Sequence, residues 1–357
     1  MRNKENITAI LDYFQTTEEK AFDFDEAAIV TAYQKNNDNH SLAIKIVTVF
    51  GGLLASLAFI GFLLIAGLYN SDVGLLLFGT LFIAGSIWIN KEFDKIIMDT
   101  VSVSFFIIGF TLLGFGFSEL KTDENIISII FIIISCCSLI IVQNYILSFT
   151  SVLIINGSIL ALIITNSNPD LIHIYVSALA LILTYVFLKE AKIITTGKTL
   201  SKLYNPIRTG LILSFLSGLI FLGKKGIIEI SPGYIWLSSI VIIATIVYLV
   251  SILLDLFGIT KVQHKTVFNI FTVLLLLTTA LSPAILGAIL IVLLSFLVNY
   301  KTGLVLGVIA FIYFISQYYY DLNFTLLTKS ILLFSSGVLF IILYLFTHKK
   351  LTTNEKI

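Results

Sequence analysis

The feature that most constrains this chain is a succession of apolar runs, each about as long as a membrane is thick. A helix that crosses the hydrocarbon core of a bilayer needs about 20 mainly apolar residues. Twelve such runs, separated by short polar breaks, lie between residues 42 and 346. The whole chain is 58% hydrophobic and only 12% charged, whereas about a quarter of the residues in a soluble domain are charged. The sequence therefore predicts an all-α fold, a polytopic integral membrane bundle of about 12 transmembrane helices.

The polar breaks set the predicted limits of these spans. Two of the breaks are thin, Gln143 with Asn144 and Ser282 with Pro283, so ten or eleven spans are the alternatives. The twelve spans cover approximately residues 42–69, 73–90, 96–118, 125–142, 145–165, 171–188, 206–223, 234–257, 267–281, 283–299, 302–320 and 326–346.

The segments that flank the spans are polar. Residues 1–41 carry apolar side chains at helical spacing, as in NITAILDYF, and predict a short cytoplasmic amphipathic helical segment. About forty residues cannot build a large core of their own. The bundle is expected over 42–347 and a cytoplasmic tail over 348–357.

Basic residues predict the orientation, because short cytoplasmic loops carry the excess of lysine and arginine. With the N-terminus inside, twelve spans leave only Lys121, Lys224, Lys225 and Lys329 of the 22 basic residues on the outer side. A polar and acidic stretch precedes the first apolar run, which does not resemble a signal peptide. We therefore expect both termini in the cytosol, and the compact loops favour a multi-pass protein of the bacterial inner membrane.

Among the polar residues within predicted spans, where such groups are costly and are functional candidates by default, we single out three. Asp99 and Asp255 lie near predicted cytoplasmic helix ends, within reach of interfacial water or of a loop lysine. Asn156 lies near the middle of its span, where its amide needs a partner on a neighbouring helix. We interpret these residues as structural first and functional second.

A denser polar patch begins at the outer end of the eleventh predicted span and continues into the twelfth. Its candidate functional or structural residues are Gln317, Tyr318, Tyr319, Tyr320, Asp321, Lys329 and Ser330. The tyrosines suit an interfacial belt, where amphipathic rings favour the headgroup layer. Asp321 and Lys329 would face each other across a short external hairpin, either as a structural clamp or as the lip of a binding site.

Motifs that name a reaction are missing from the sequence. It contains no Walker sequence, no GxGxxG, no GxSxG and no HExxH. We therefore predict no catalytic residue, no cofactor and no metal site. The net charge of +1 argues against a nucleic-acid partner, and the composition makes the lipid bilayer the expected one.

The segment from Tyr318 to Gly337 carries the pattern YYYxLxxTLLxKSxLLxxSG. This pattern resembles the closing segment of an uncharacterised bacterial family of multi-spanning membrane proteins, the domain of unknown function 4401. The resemblance implies a possible complex with a second membrane protein of the GDYxxLxY type. It assigns no role to the matching positions, which are Tyr318, Tyr319, Tyr320, Leu322, Thr325, Leu326, Leu327, Lys329, Ser330 and Gly337.

Three functional hypotheses follow. The favoured one is a non-enzymatic inner-membrane protein that acts in a complex with another membrane protein. The alternative is a secondary transporter or a flippase of a small or lipid-linked substrate, since two sets of six spans joined by a longer basic loop match the layout of major-facilitator transporters. A membrane-embedded transferase is the third.

Overall fold

The computed structural model describes most of the predicted membrane region. The described residues are 42–65, 67, 71–93, 96–224, 226–259, 261–277 and 279–321, with individual positions between 327 and 345. The predicted segment over 1–41, the tail over 348–357, much of the twelfth span and Lys329 lie outside the described residues.

The regular structure of the described residues is helical, as predicted, and includes no strand. It consists of one short 3₁₀ turn, Pro232–Tyr234, and twelve α-helices. The helices are α1 Leu42–Ile65, α2 Asp72–Glu92, α3 Ile96–Glu119, α4 Glu124–Ile141, α5 Tyr145–Thr165, α6 Leu171–Leu188, α7 Glu190–Thr196, α8 Lys198–Gly223, α9 Ile235–Leu256, α10 Val262–Leu277, α11 Pro283–Leu297 and α12 Lys301–Asp321.

Eight of the described helices are long and apolar enough to cross a membrane, namely α2, α3, α4, α5, α6, α8, α9 and α12. The multi-pass character is thus confirmed, but the count of twelve spans is not. α10 and α11 have 16 and 15 residues, and at about 1.5 Å per residue each falls short of a core about 30 Å thick. Most of α11 is buried inside the bundle instead.

Both thin breaks of the sequence are helix boundaries in the structure. Asn144 caps α5, because its side chain accepts a hydrogen bond of 2.8 Å from the amide of Ile146. Pro283 begins α11 directly after Ser282, and proline at the first helical position removes an amide that would have no intrahelical partner. Short polar breaks can therefore separate helices when they hold a capping residue or a proline.

The chain forms two compact units, the first ending at Thr122 and the second beginning at Asp123. In the first unit α3 packs against both α1 and α2. The hydroxyls of Ser86 and Ser102 each donate to the backbone carbonyl of the other residue, at 2.7 and 2.9 Å. Small residues thus join α2 and α3 where their backbones approach closely, as in membrane helix pairs.

The second unit is organised around α8, which packs against α5, α6, α11 and α12. Its core includes the fully buried side chains of Leu183 on α6, Phe215 and Leu219 on α8 and Leu286 on α11. These helices lie on both sides of the basic loop that was expected to separate two sets of six spans. They share one core, so the structural division does not follow that layout.

The surface and the interior also show a membrane pattern. Sixteen of the 22 buried polar or charged residues in the described part of the chain are serines. On α4 the buried residues are Ser128, Ser135 and Ser138, whereas Cys136 and Cys137 are exposed. Free cysteine is among the most buried residue types in proteins, so these two are exceptions. They face outward because small serines permit close helix packing, while lipid accepts apolar side chains on the outside.

Candidate functional site

The helices of the second unit alternate in direction, so their ends meet in two groups. α6, α9 and α11 begin, and α8 and α12 end, in the group that we call the His173 end, where residues of all five helices line one pocket. α8 and α12 begin in the opposite group, the Arg208 end, where Arg208 and Thr209 contact Tyr300.

A pocket of ≈ 250 Å³ lies at the His173 end. Its polar lining consists of His173, Lys224, Ser282, Tyr318 and Asp321, and its apolar lining includes Phe221, Leu222, Ile228, Ile230, Ile235, Leu281 and Pro283. The pocket therefore offers apolar walls together with a few polar groups, the usual composition of a small-molecule site.

The loop between α8 and α9 supplies part of this lining and is held by hydrogen bonds. Asp170, just before α6, accepts from the amide and from the hydroxyl of Ser231, each at 2.9 Å. A carboxylate that accepts from two donors of one residue fixes that residue in position. The loop that carries Ile228 and Ile230 is thus anchored to the start of α6.

His173 is the most deeply buried polar residue of the pocket, with 0% of its surface exposed. Its Nδ1 lies 2.9 Å from the Ser238 hydroxyl on α9. That hydroxyl also lies 3.2 Å from the carbonyl oxygen of Ile235. The other ring nitrogen of His173, Nε2, is buried and has no hydrogen-bond partner within the described structure. A buried ring nitrogen without a partner is costly, which makes His173 the most informative residue of the site.

The predicted cluster on α12 is partly brought together here. The Gln317 side-chain amide contacts both carboxylate oxygens of Asp321 at 3.1 Å, and Tyr318 and Asp321 line the pocket. Tyr319 and Tyr320 meet edge to face with ring centroids 5.8 Å apart, outside the pocket lining.

The remaining two members of that cluster are Ser330 and Lys329. Ser330 is exposed, and Lys329 lies outside the described residues. Sequence reasoning placed His173 at the start of a span and Lys224 in an outer loop, but did not connect either with α12.

The three predicted intramembrane polar residues lie elsewhere. Asp99 is buried and accepts a hydrogen bond of 3.4 Å from the Asn90 amide. Asp255 forms an ion pair with Lys265 on α10.

Asn156, the third of them, is buried within the second unit. Its amide donates to the Val152 carbonyl at 2.9 Å, and its oxygen accepts from the Tyr175 hydroxyl on α6 at 3.2 Å. None of the three residues lines the pocket at the His173 end.

A second buried polar group, at the Arg208 end, was missed from the sequence. Arg208 is 6% exposed and pairs with Glu190 on α7 at 3.2 Å. Its guanidinium carbon lies 3.7 Å from the ring centroid of Tyr300, a cation–π contact. In the sequence, Arg208 is one of many basic residues on the predicted cytoplasmic side. The one hint of a pair is that Glu190 is the only acidic residue in the basic connection over residues 189–205.

The lining at the His173 end combines a histidine, a carboxylate, an ammonium group and hydroxyls with apolar walls. The serine hydroxyl that His173 contacts, that of Ser238, is not part of this lining. The described residues also include no group of three His, Cys, Asp or Glu side chains that could hold a metal ion.

A family model described as a domain of unknown function (DUF4401) matches residues 41–350. The chain belongs to this family. The match covers α1 to α12, and so the whole pocket of this DUF4401 protein, and it confirms the resemblance seen in the segment from Tyr318 to Gly337. No curated protein and no solved structure matches the chain.

Proposed function

We propose that this DUF4401 protein is a non-enzymatic, multi-pass protein of the bacterial inner membrane that acts in a complex with another membrane protein. Both termini lie in the cytosol in this proposal, which puts the His173 end on the outer side. The proposal rests on the distribution of basic residues and on the surface at the end of α12.

The observation that carries the proposal is an ordered aromatic and charged surface on α12. Tyr320 is 74% exposed and packs against Tyr319, and Gln317 holds the carboxylate of Asp321. Tyrosine is enriched in protein interfaces, and side chains already ordered before binding lose less entropy in the complex. We therefore expect this surface to contact a protein partner and not lipid alone.

The partner that we propose is a membrane protein of the GDYxxLxY type. Its basis is the family resemblance, since such proteins are often encoded beside members of this family. A complex in the membrane would place a second set of helices next to α12, whose other neighbours in the second unit are α8 and α11.

A transporter remains the second candidate, because the pocket at the His173 end could belong to a substrate path. The apolar core of the second unit argues against it. Four of its large side chains have 0% of their surface exposed: Phe215, Leu219, Ile242 and Leu286. Alternating access needs a cavity that reaches the middle of the membrane, and this part of the core is filled by apolar side chains.

Copurification from membranes tests the complex. The GDYxxLxY protein and a tagged copy of this chain would be expressed together, extracted in mild detergent and quantified. An interface tyrosine that contributes about 1.4 kcal/mol of binding free energy changes the dissociation constant tenfold. We expect Tyr320→Ala and Asp321→Asn to reduce the recovered partner by about fivefold to tenfold on this basis.

The matched control is Tyr313→Ala, on the same helix and 41% exposed but outside the surface formed by residues 317–321. It should leave recovery unchanged. The proposed interface would be contradicted if all three variants recovered equal amounts of the partner, or if the control lost as much of it as the other two.

A further inference from the structure

We propose that the pocket at the His173 end binds a small zwitterion: an ammonium group that still bears N–H hydrogens, next to an anionic group. This chain alone forms the pocket, so binding needs no protein partner. The unpartnered nitrogen of His173 is the first indication of a ligand.

We assign the tautomer of His173 from the hydrogen bonds around Ser238. The Ser238 hydroxyl has one hydrogen and donates it to the Ile235 carbonyl at 3.2 Å. The 2.9 Å contact between its oxygen and Nδ1 fits either tautomer by itself, but with that hydrogen used the oxygen accepts from Nδ1. Nε2 is then a bare acceptor, buried and without a partner among the described residues. A ligand that reaches Nε2 must therefore donate a hydrogen bond.

A second acceptor at the pocket defines the kind of donor. Asp321 lines the same pocket, and the Gln317 amide contacts both of its oxygens at 3.1 Å, which orients the carboxylate. An ionised carboxylate has about four acceptor sites and can take further donors. An imidazole nitrogen and a carboxylate together select a cation with several N–H hydrogens, which is a primary ammonium group.

The anionic half of the ligand has its own partner. Lys224, at the end of α8, lines the pocket with an exposed side chain. The helices α6, α9 and α11 all begin at this end, and the partial positive charge of helix N-termini favours an anion. A cationic and an anionic side chain at the same pocket suit a ligand that carries both charges.

The size and the walls of the pocket limit the rest of the ligand. A volume of ≈ 250 Å³ lies just below the range of about 300–1,000 Å³ for drug-sized ligands. Its apolar walls, with Phe221, Ile230 and Leu281 among them, accept a short hydrocarbon part. Two sources share this chemistry: the ethanolamine headgroup of an aminophospholipid, and a free apolar amino acid.

Thermal unfolding of the purified full chain in a maltoside detergent tests the inference. The probes are glycerophosphoethanolamine, glycerophosphocholine and L-leucine. Glycerophosphocholine is the matched control ligand, because three methyl groups replace every N–H of its ammonium. We expect a saturable rise of the unfolding temperature with glycerophosphoethanolamine, with L-leucine or with both, and no rise with glycerophosphocholine.

Two variants connect any rise to the pocket. His173→Asn keeps an amide nitrogen near the position of Nδ1, and so the bond to Ser238, but removes Nε2. Lys224→Ala removes the exposed cation and is compared with Lys301→Ala, an exposed lysine at the Arg208 end. We expect at least a tenfold weaker apparent affinity for His173→Asn and for Lys224→Ala, and an unchanged affinity for Lys301→Ala.

The outcomes separate the two sources. A rise with glycerophosphoethanolamine alone identifies a lipid headgroup, a rise with L-leucine alone identifies a free amino acid, and a rise with both supports the shared chemistry. An equal rise with glycerophosphocholine overturns the inference, as does no rise with any probe. Undiminished affinity in both His173→Asn and Lys224→Ala also overturns it. None of these results depends on copurification, so the complex and the ligand can fail separately.

Discussion

Replacing Gly109 by alanine should loosen the contact between α2 and α3. A Cβ atom built at Gly109 would lie 2.5 Å from Ile83 Cγ1, 2.9 Å from the carbonyl oxygen of Gly79 and 3.0 Å from the amide nitrogen of Ile83. Rotation of the Ile83 side chain relieves only the first of these contacts. The other two involve the backbone of α2, so the helices must separate.

The size of the effect follows from two opposing contributions. Overpacking a tight contact costs about 1–3 kcal/mol, while alanine in a helix gains about 1 kcal/mol over glycine. We expect Gly109→Ala to lower the free energy of unfolding of the first unit by up to about 2 kcal/mol on this balance. The separation would also strain the hydrogen bonds between Ser86 and Ser102, which join the same two helices.

Gly85→Ala is the matched control on the same helix pair. The nearest atom to its Cβ would be Phe105 Cδ2 at 3.6 Å, an ordinary contact, so this variant should be as stable as the native chain or more stable. Unfolding by SDS in mixed micelles can be followed by tryptophan fluorescence. In a Trp236→Phe background the only tryptophan left is Trp88 on α2, which reports on the first unit. Equal stability of the two alanine variants would refute the close approach of α2 and α3.

Two further predictions concern the second unit. Glu190→Gln removes the carboxylate that lies 3.2 Å from the buried Arg208, and we expect it to lower the free energy of unfolding by about 1–3 kcal/mol. The double variant Arg208→Met with Glu190→Gln removes both charges and should recover most of that loss in stability. A double-mutant cycle measures this coupling, and a value below about 0.5 kcal/mol would contradict the pairing. A topology reporter fused after Asp321 should be active only on the outer side of the membrane, and a cytoplasmic signal there would overturn the predicted threading.

Part of the fold was predictable because it depends on local sequence. The capping side chain of Asn144 and the proline at residue 283 act within one helical turn, so the boundaries of α5 and α11 agree with the predicted breaks. The number of spans was less predictable, since hydropathy does not distinguish a helix facing lipid from one enclosed by other helices. α11 is the clearest case, because its apolar sequence reflects burial in the core.

The candidate site was predictable only in its α12 part. Gln317 and Asp321 are one helical turn apart, so their contact follows from spacing alone. His173 and Ser238 lie on different helices 65 residues apart, and no local pattern relates them. The pairing of Arg208 with Glu190 across the turn from α7 into α8 is of the same kind, because it depends on how that turn folds back.

The sequence by itself determined the class of this protein: an apolar, all-helical chain in which most charged residues lie near helix ends or between helices. It could do so because the bilayer requires every spanning backbone to satisfy its own hydrogen bonds, which leaves helices for runs of this length. Tertiary structure alone decided that the units divide after Thr122 and that His173, Lys224 and Asp321 line one pocket. Those outcomes depend on which helices pack together, and side chains far apart in the sequence determine that packing.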